Sequence, residues 1–468
     1  MPHRHSLCVM ASLVRGGEVS PVELVEAHLR QIEKLNPQLN AFVVITADKA
    51  REDARLAEAA VMRGERLGAL HGVPVTVKDS FDLAGHPTLC GSKFRIGHRA
   101  DRDSTAAARM RAAGAIVLGK TNCPEFLSNY ETDNFITGRT NNPWNLDLTP
   151  GGSSGGESAA IASFCSAGGI GSDGGGSIRI PAHCCGIAGL KPTPGRVSAA
   201  GHFPAIGHPG GLLGVGGPMA RTAQDVRLLF TALAGYDTQD PFSAPVPLRQ
   251  PDMAGLKIGV MEQFYDVPVQ PMMREAVRKA AAALEQMKIP VEAFRPKGLE
   301  RSPNVWWFFF GRLPARMTQQ VIAGHEQDAH WTGTEFLHLA LKEAEPTAQD
   351  VLENLATRDR MRAALLRQMD DFPVLLLPAC GVAAWPHRQR KWEMGQKPIG
   401  LFEAMMPVTP FNLVGFPGMV IPYGMTEEGV PVGIQLVGRP YEEELILEIA
   451  VQLEQARGLF PAPPMAMA

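Results

Sequence analysis

The stretch Ser104-Thr-Ala-Ala-Ala-Arg-Met-Arg-Ala-Ala-Gly-Ala-Ile-Val-Leu118 joins one helix directly to one strand. Ser104 offers a capping hydroxyl, the Ala-rich run behind it predicts a helix to Ala113, and Gly114 supplies the stop. Ala115 to Leu118 is then a short, nearly continuous apolar run, the pattern of a strand buried on both faces. The same alternation recurs outward. Upstream, a helix over 47–63 precedes Val73-Pro-Val-Thr-Val-Lys78-Asp, which reads as a buried strand ending at Lys78. Downstream, strands are predicted over 167–171, 256–261, 374–377 and 419–423, with helices over 225–234 and 442–455. Short apolar strands alternating with helices predict an α/β fold. We expect one large domain over 1–468, its mixed, mostly parallel β-sheet covered by helices on both faces.

Near the N-terminus, Ser20-Pro-Val-Glu23 places a hydroxyl, a proline and an acid at the spacing of a capping box. Val22, Leu24, Val25, Leu29 and Ile32 follow at helical spacing, and Pro37 is the expected end of that helix. The apolar run 6–14 is too short, and lacks the flanking pattern, for a signal peptide, and reads as a first helix. A Pro-rich stretch over 238–251 is expected as a surface connection rather than a domain boundary.

Composition excludes several classes. A formal net charge of −3 gives no general reason to expect nucleic acid as a partner. No run approaches ~18 uninterrupted apolar residues, so no membrane span is expected, and a cytoplasmic location is the default. The seven cysteines include no C-x-x-C pair, which argues against a zinc knuckle or a disulfide framework and for reduced thiols. His183 beside Cys184 and Cys185 lacks a second ligand pair, so no metal and no cofactor is predicted.

The glycines crowd into the stretch from Gly151 to Gly217, and two loops there invite chemistry. Pro150-Gly-Gly-Ser153-Ser154-Gly-Gly-Glu157 cannot be a P-loop, since no Lys follows. It matches Gly-x-Ser-x-Gly twice, but the residues before it, bounded by Pro143 and Pro150, make a poor strand for a nucleophile elbow. Gly171-Ser-Asp173-Gly174-Gly175-Gly176-Ser177-Ile-Arg179-Ile-Pro181 does follow an apolar strand. Its glycines are suited to turn their N–H groups inward beside a serine hydroxyl. A serine needs a base, and neither loop holds a histidine. A lysine serves where burial disfavours its ammonium form, which makes Lys78 a candidate; a strand-end lysine is otherwise an ordinary solvated cap.

Taken together, these segments resemble the amidase signature family. The resemblance rests on Gly72-Val-Pro-Val-Thr-Val-Lys78-Asp, Gly119-Lys-Thr-Asn122-Cys-Pro-Glu125-Phe and Asn142-Pro-Trp, with the two Gly/Ser loops and Gly189-Leu-Lys-Pro-Thr193 after them. It implies a Ser–cis-Ser–Lys hydrolase of carbon–nitrogen bonds in linear amides: Ser177 as nucleophile, Ser153 as the relay after a cis peptide bond, and Lys78 as base. The backbone N–H groups of Gly174, Gly175 and Gly176 form the implied oxyanion site, with Ser154, Asp173 and Arg179 bracing it. The Gly/Ser-rich catalytic core then spans 71–221, and channel and capping elements span 252–440. One departure is Gly174, where the family usually carries Thr or Ile; the N–H survives that change while a side-chain contact is lost.

Asn142-Pro-Trp and Glu157 look more like the fatty-acid-amide and aryl-amide branch than the branch of the tRNA-amidotransferase glutaminases. The run Trp306-Trp-Phe-Phe-Phe310, with Met405 and Met406, reads either as a core helix or as the wall of an apolar channel. The expected substrate is thus a small-molecule amide, ester or carbamate with a bulky acyl or aryl group, handled by a monomer or homodimer. The alternative is the glutaminase subunit of a tRNA-dependent amidotransferase.

Overall fold

In chain order the strands are β1 (Phe42–Ile45), β2 (Pro74–Lys78), β3 (Ile116–Thr121), β4 (Gly168–Asp173), β5 (Ala188–Lys191), β6 (Val215–Ala220) and β7 (Ile258–Val260), then β8 (Val291–Ala293), β9 (Val374–Pro378), β10 (Lys391–Glu393), β11 (Pro398–Gly400), β12 (Gly418–Met425) and β13 (Pro431–Gly438). They are taken from a computed structural model, which describes residues 1–206, 210–395 and 397–467. Eleven of them form one sheet, ordered β1-β3-β2-β4-β6-β5-β12-β13-β9-β7-β8, while β10 and β11 make a separate ribbon.

The sheet is mixed, as expected, but it is not mostly parallel. Parallel pairing joins β2 to β3 and β4, and β7 to β8 and β9. Through the middle, β4, β6, β5, β12, β13 and β9 pair antiparallel, and β1 pairs antiparallel with β3 at one edge. The expectation failed for a physical reason. Near-continuous apolar strands report burial on both faces, and direction does not enter that signal.

Burial on both faces is visible within β12. Met419 and Ile421 point into a core shared with the helices Leu7–Arg15, Ala223–Leu233, Pro271–Gln286 and Glu443–Arg457. Val420, between them, packs instead with Ile161, Ala182 and Met219, beneath the helices Gly155–Ala162 and Arg179–Cys185. Each such side chain, fully removed from water, contributes about 1.5–3 kcal/mol.

Ser20 and Glu23 form the expected capping box on the helix Pro21–Leu39, but Pro37 does not end it. The helix runs two residues further, burying Leu39, and ends at Asn40, which takes a left-handed conformation and returns its N–H to Asn36 O. Among the described residues no helix is long and apolar enough to cross a membrane, and no group of three His, Cys, Asp or Glu is placed to hold a metal ion. The cysteines are free thiols, buried except for Cys8.

Candidate active site

Strand β2 is buried along its whole length and delivers Lys78 into the interior with no exposed surface. The lysine is therefore not a solvated cap. Its Nζ donates to Ser153 Oγ at 2.7 Å, Ser154 Oγ at 2.9 Å and Ser172 Oγ at 3.1 Å. Burial pulls its pKa down from 10.5 to about 8, because an ammonium ion taken out of water loses solvation that hydroxyl dipoles only partly replace.

Ser153 follows a cis peptide bond from Gly152. Gly152 is needed for close approach: a Cβ there would come within 2.7 Å of the backbone of residues 129–131. Immediately after the serine pair the chain enters the helix Gly155–Ala162, which carries Glu157 into the interior. Thr76 and Thr121 each donate a hydroxyl to Glu157 at 2.6 Å. Burial raises its carboxyl to about 7 against those donors.

The loop from Asp173 to Ser177 leaves the end of β4, and each of the carbonyls from Asp173 to Gly176 is tied. Asp173 O accepts from Asn412 Nδ2 at 3.1 Å, Gly174 O from Trp306 Nε1 at 3.0 Å, Gly175 O from Tyr130 Oη at 2.8 Å, and Gly176 O from Ile180 N at 2.7 Å. In a trans peptide the N–H points away from its carbonyl, so these ties direct the N–H groups of residues 174–177 to the opposite side. Gly176 N–H donates to Asp173 Oδ1 at 2.7 Å. Those of Gly174, Gly175 and Ser177 have no acceptor among the described residues. Of the three glycine N–H groups expected to form an oxyanion site, that of Gly176 is therefore already engaged by a carboxylate.

Asp173 holds the loop closed. It accepts from Arg179 Nε and Nη2, both at 3.0 Å, and from Asn412 Nδ2 at 2.9 Å. Burial would raise its carboxyl, but the Arg179 charge and hydrogen bonds hold it well below the usual carboxylate range. Ser154 ties the two Gly/Ser loops together, its N–H donating to Ser177 O at 3.1 Å.

Ser153, Ser172, Gly174 and Ser177 open on a cavity of about 500 Å³. Phe126, Leu127, Phe203, Ile206, Leu213, Phe310, Phe336 and Leu337 make much of its wall. Asp173 and His202 are the ionisable side chains among the described lining residues. Asp173 is committed to Arg179, and burial lowers the His202 pKa to about 3, so that its ring is neutral. Among the described residues no hydrogen bond joins Ser177 Oγ to Ser153 Oγ; catalytic contacts of this kind often tighten only around bound substrate.

Structure divides the aromatic run that the sequence left open. Trp306, Phe308 and Phe309 are core, whereas Phe310 reaches the cavity. Phe308, Phe309 and Phe310 all lie in one π-helical turn, Phe308–Arg312, which turns the first two inward and the third to the cavity. Met405 is fully buried and lies away from the cavity lining, as does Met406. His183 is structural, its Nε2 set against Val382 O at 2.9 Å and its Nδ1 accepting from Gly433 N at 2.8 Å. Sequence reasoning missed the parts played by Ser172, Tyr130, Trp306 and Asn412. Ser172 was in the right motif, and its serine type was the signal; Trp306 and Asn412 lie far along the chain, Tyr130 falls between the quoted motifs, and none of the three had one.

Comparison with known proteins identifies the family. The amidase family model matches residues 23–447. An indoleacetamide hydrolase from Bradyrhizobium diazoefficiens is 33% identical over 462 residues, covering 96% of this chain and 86% of that protein. The A subunit of a glutamyl-tRNA(Gln) amidotransferase from a Cyanothece species is 32% identical over 482 residues, covering 94% and 95%. The crystal structure of a bacterial aryl acylamidase superposes with a TM-score of 0.86 at 28% identity, covering 97% of this chain and 96% of that one.

Proposed function

Because this chain belongs to the amidase family and is a hydrolase of carbon–nitrogen bonds, we propose that its substrates are bulky, uncharged acyl or aryl amides, with esters and carbamates also accepted. The observation that carries the mechanism is the 2.7 Å contact between a fully buried Lys78 amine and the Ser153 hydroxyl. Neutral Lys78 takes the Ser153 proton as Ser153 takes that of Ser177. Ser177 Oγ then bonds to the carbonyl carbon, and the N–H groups of Gly174, Gly175 and Ser177 receive the oxyanion. Each such donor is worth about 3–4 kcal/mol in comparable sites. The proton returns through Ser153 to the departing nitrogen, the carbon–nitrogen bond breaks, and an acyl ester remains on Ser177. Water activated by the same pair attacks that ester, releasing the acid and restoring the serine.

A glutaminase role in a tRNA-dependent complex is the second reading, favoured by the similarity to the glutamyl-tRNA(Gln) amidotransferases. The cavity argues for the first. Free glutamine carries an ammonium and a carboxylate, and the described wall offers neither a free partner charge. The purified chain, assayed alone on 4-nitroanilide, carbamate and glutamine panels, separates the two. We expect turnover of bulky anilides, abolished by Ser177→Ala with the fold intact. Glutamine as sole substrate reverses the substrate assignment, and an active Ser177→Ala protein overturns the nucleophile.

A further inference from the structure

Trp306 lies far along the chain from the Gly/Ser loops, yet it donates its indole N–H to Gly174 O at 3.0 Å. The peptide it grips also carries the N–H of Gly175, a donor with no acceptor among the described residues. The indole is itself immobilised: it is 2% exposed, and it stacks on Phe310 at 4.6 Å with the rings 16° from parallel. Its contact with the loop is close enough to dictate sequence, since a Cβ on Gly175 would sit 2.4 Å from Trp306 Cζ2. No side chain at Gly174 stiffens this peptide, so the tether must come from outside the loop.

We infer that Trp306 is a positioning residue for the oxyanion site, aiming the Gly175 N–H through its hold on the Gly174 carbonyl. The assignment rests on Ser177 as nucleophile. It gives the aromatic wall a second task, because Phe310 both borders the substrate cavity and braces the ring that orients the donor. Tyr130 supplies an internal comparison. It holds the next carbonyl, Gly175 O, but that peptide carries the Gly176 N–H, which is already given to Asp173. Loss of the Tyr130 tether should therefore matter less.

Trp306→Phe keeps the stacked ring and removes the N–H. On a turned-over anilide its kcat should fall on the order of 10²-fold, with KM within about twofold. Affinity for a tetrahedral mimic, an aryl boronic acid, should fall in parallel, while the carboxylate product binds as before. Tyr130→Phe should lose less than about tenfold in kcat by the same logic. Trp306→His, which returns a ring N–H, should recover part of the loss; compared with Trp306→Leu it replaces the first test if the phenylalanine variant does not fold. An unchanged kcat in Trp306→Phe, an equal loss in Tyr130→Phe, or equal weakening of product and boronic acid overturns the inference. Residual turnover by Ser177→Ala overturns the nucleophile instead, and the two failures are read from different variants.

Discussion

Arg179 holds Asp173 by two contacts of 3.0 Å, Nε to Oδ2 and Nη2 to Oδ1, with neither side chain exposed. The remaining guanidinium donors go to Gln435 Oε1 at 2.6 Å, Val408 O at 3.0 Å and Asn412 Oδ1. Buried charges survive only when satisfied in this way. Removing one partner should cost about 3–5 kcal/mol, mostly as an orphaned charge. Arg179→Met should thus lower stability by that amount in urea denaturation and silence turnover, as Asp173 releases Gly176. Adding Asp173→Leu should restore part of the stability and none of the activity; full activity in the double variant would remove this pair from the site's machinery.

Lys78 makes the enzyme's pH dependence specific. With its pKa near 8, well below 10.5, the amine is neutral and competent only on the alkaline side. We expect kcat/KM, which reports the free enzyme, to rise through pH 8 and to level off above it. Stability carries the same signature. Between about 8 and 10.5 the unfolded chain holds a proton that the folded one has released, so the group's contribution rises with pH across that window. Relative to Lys78→Met, the native protein should therefore gain roughly 3 kcal/mol over those units, at about 1.4 per unit. A flat difference between the two denaturation series would show that Lys78 is not desolvated.

Gly174 should set substrate size. A Cβ there would meet Phe310 Cε2 at 3.5 Å and Gly214 Cα at 3.9 Å, which are ordinary contacts. Gly174→Ile is therefore expected to fold normally, with its outer carbons occupying cavity space beside Phe310. Bulky anilides should lose roughly tenfold in kcat/KM while acetamide-sized substrates change little, the scale of a few methylenes in an apolar pocket.

The neighbouring glycine allows no such freedom. Because its Cβ would fall 2.4 Å from the Trp306 ring, Gly175→Ala must displace either the indole or the loop. Overpacking of this kind costs about 1–3 kcal/mol, and thermal unfolding together with a drop in kcat of at least about tenfold should register it. Wild-type kcat in that variant would place the Gly175 N–H outside the oxyanion site.

The amino-acid sequence by itself determined the local elements and the chemical inventory. Ser20 and Ser104 announced their helices because capping is a short-range hydrogen bond. The two Gly/Ser loops and the apolar strand before Lys78 were equally plain, since backbone latitude and burial are written in neighbouring residues. Tertiary structure alone decided how β4, β6, β5, β12, β13 and β9 are oriented, because strands buried on both faces look alike in either direction. It also decided which N–H groups are free, for Tyr130, Trp306 and Asn412 reach the loop from distant segments. Hydrogen bonds across such separations leave no periodicity in the chain, and only the packed core brings their partners within about 3 Å.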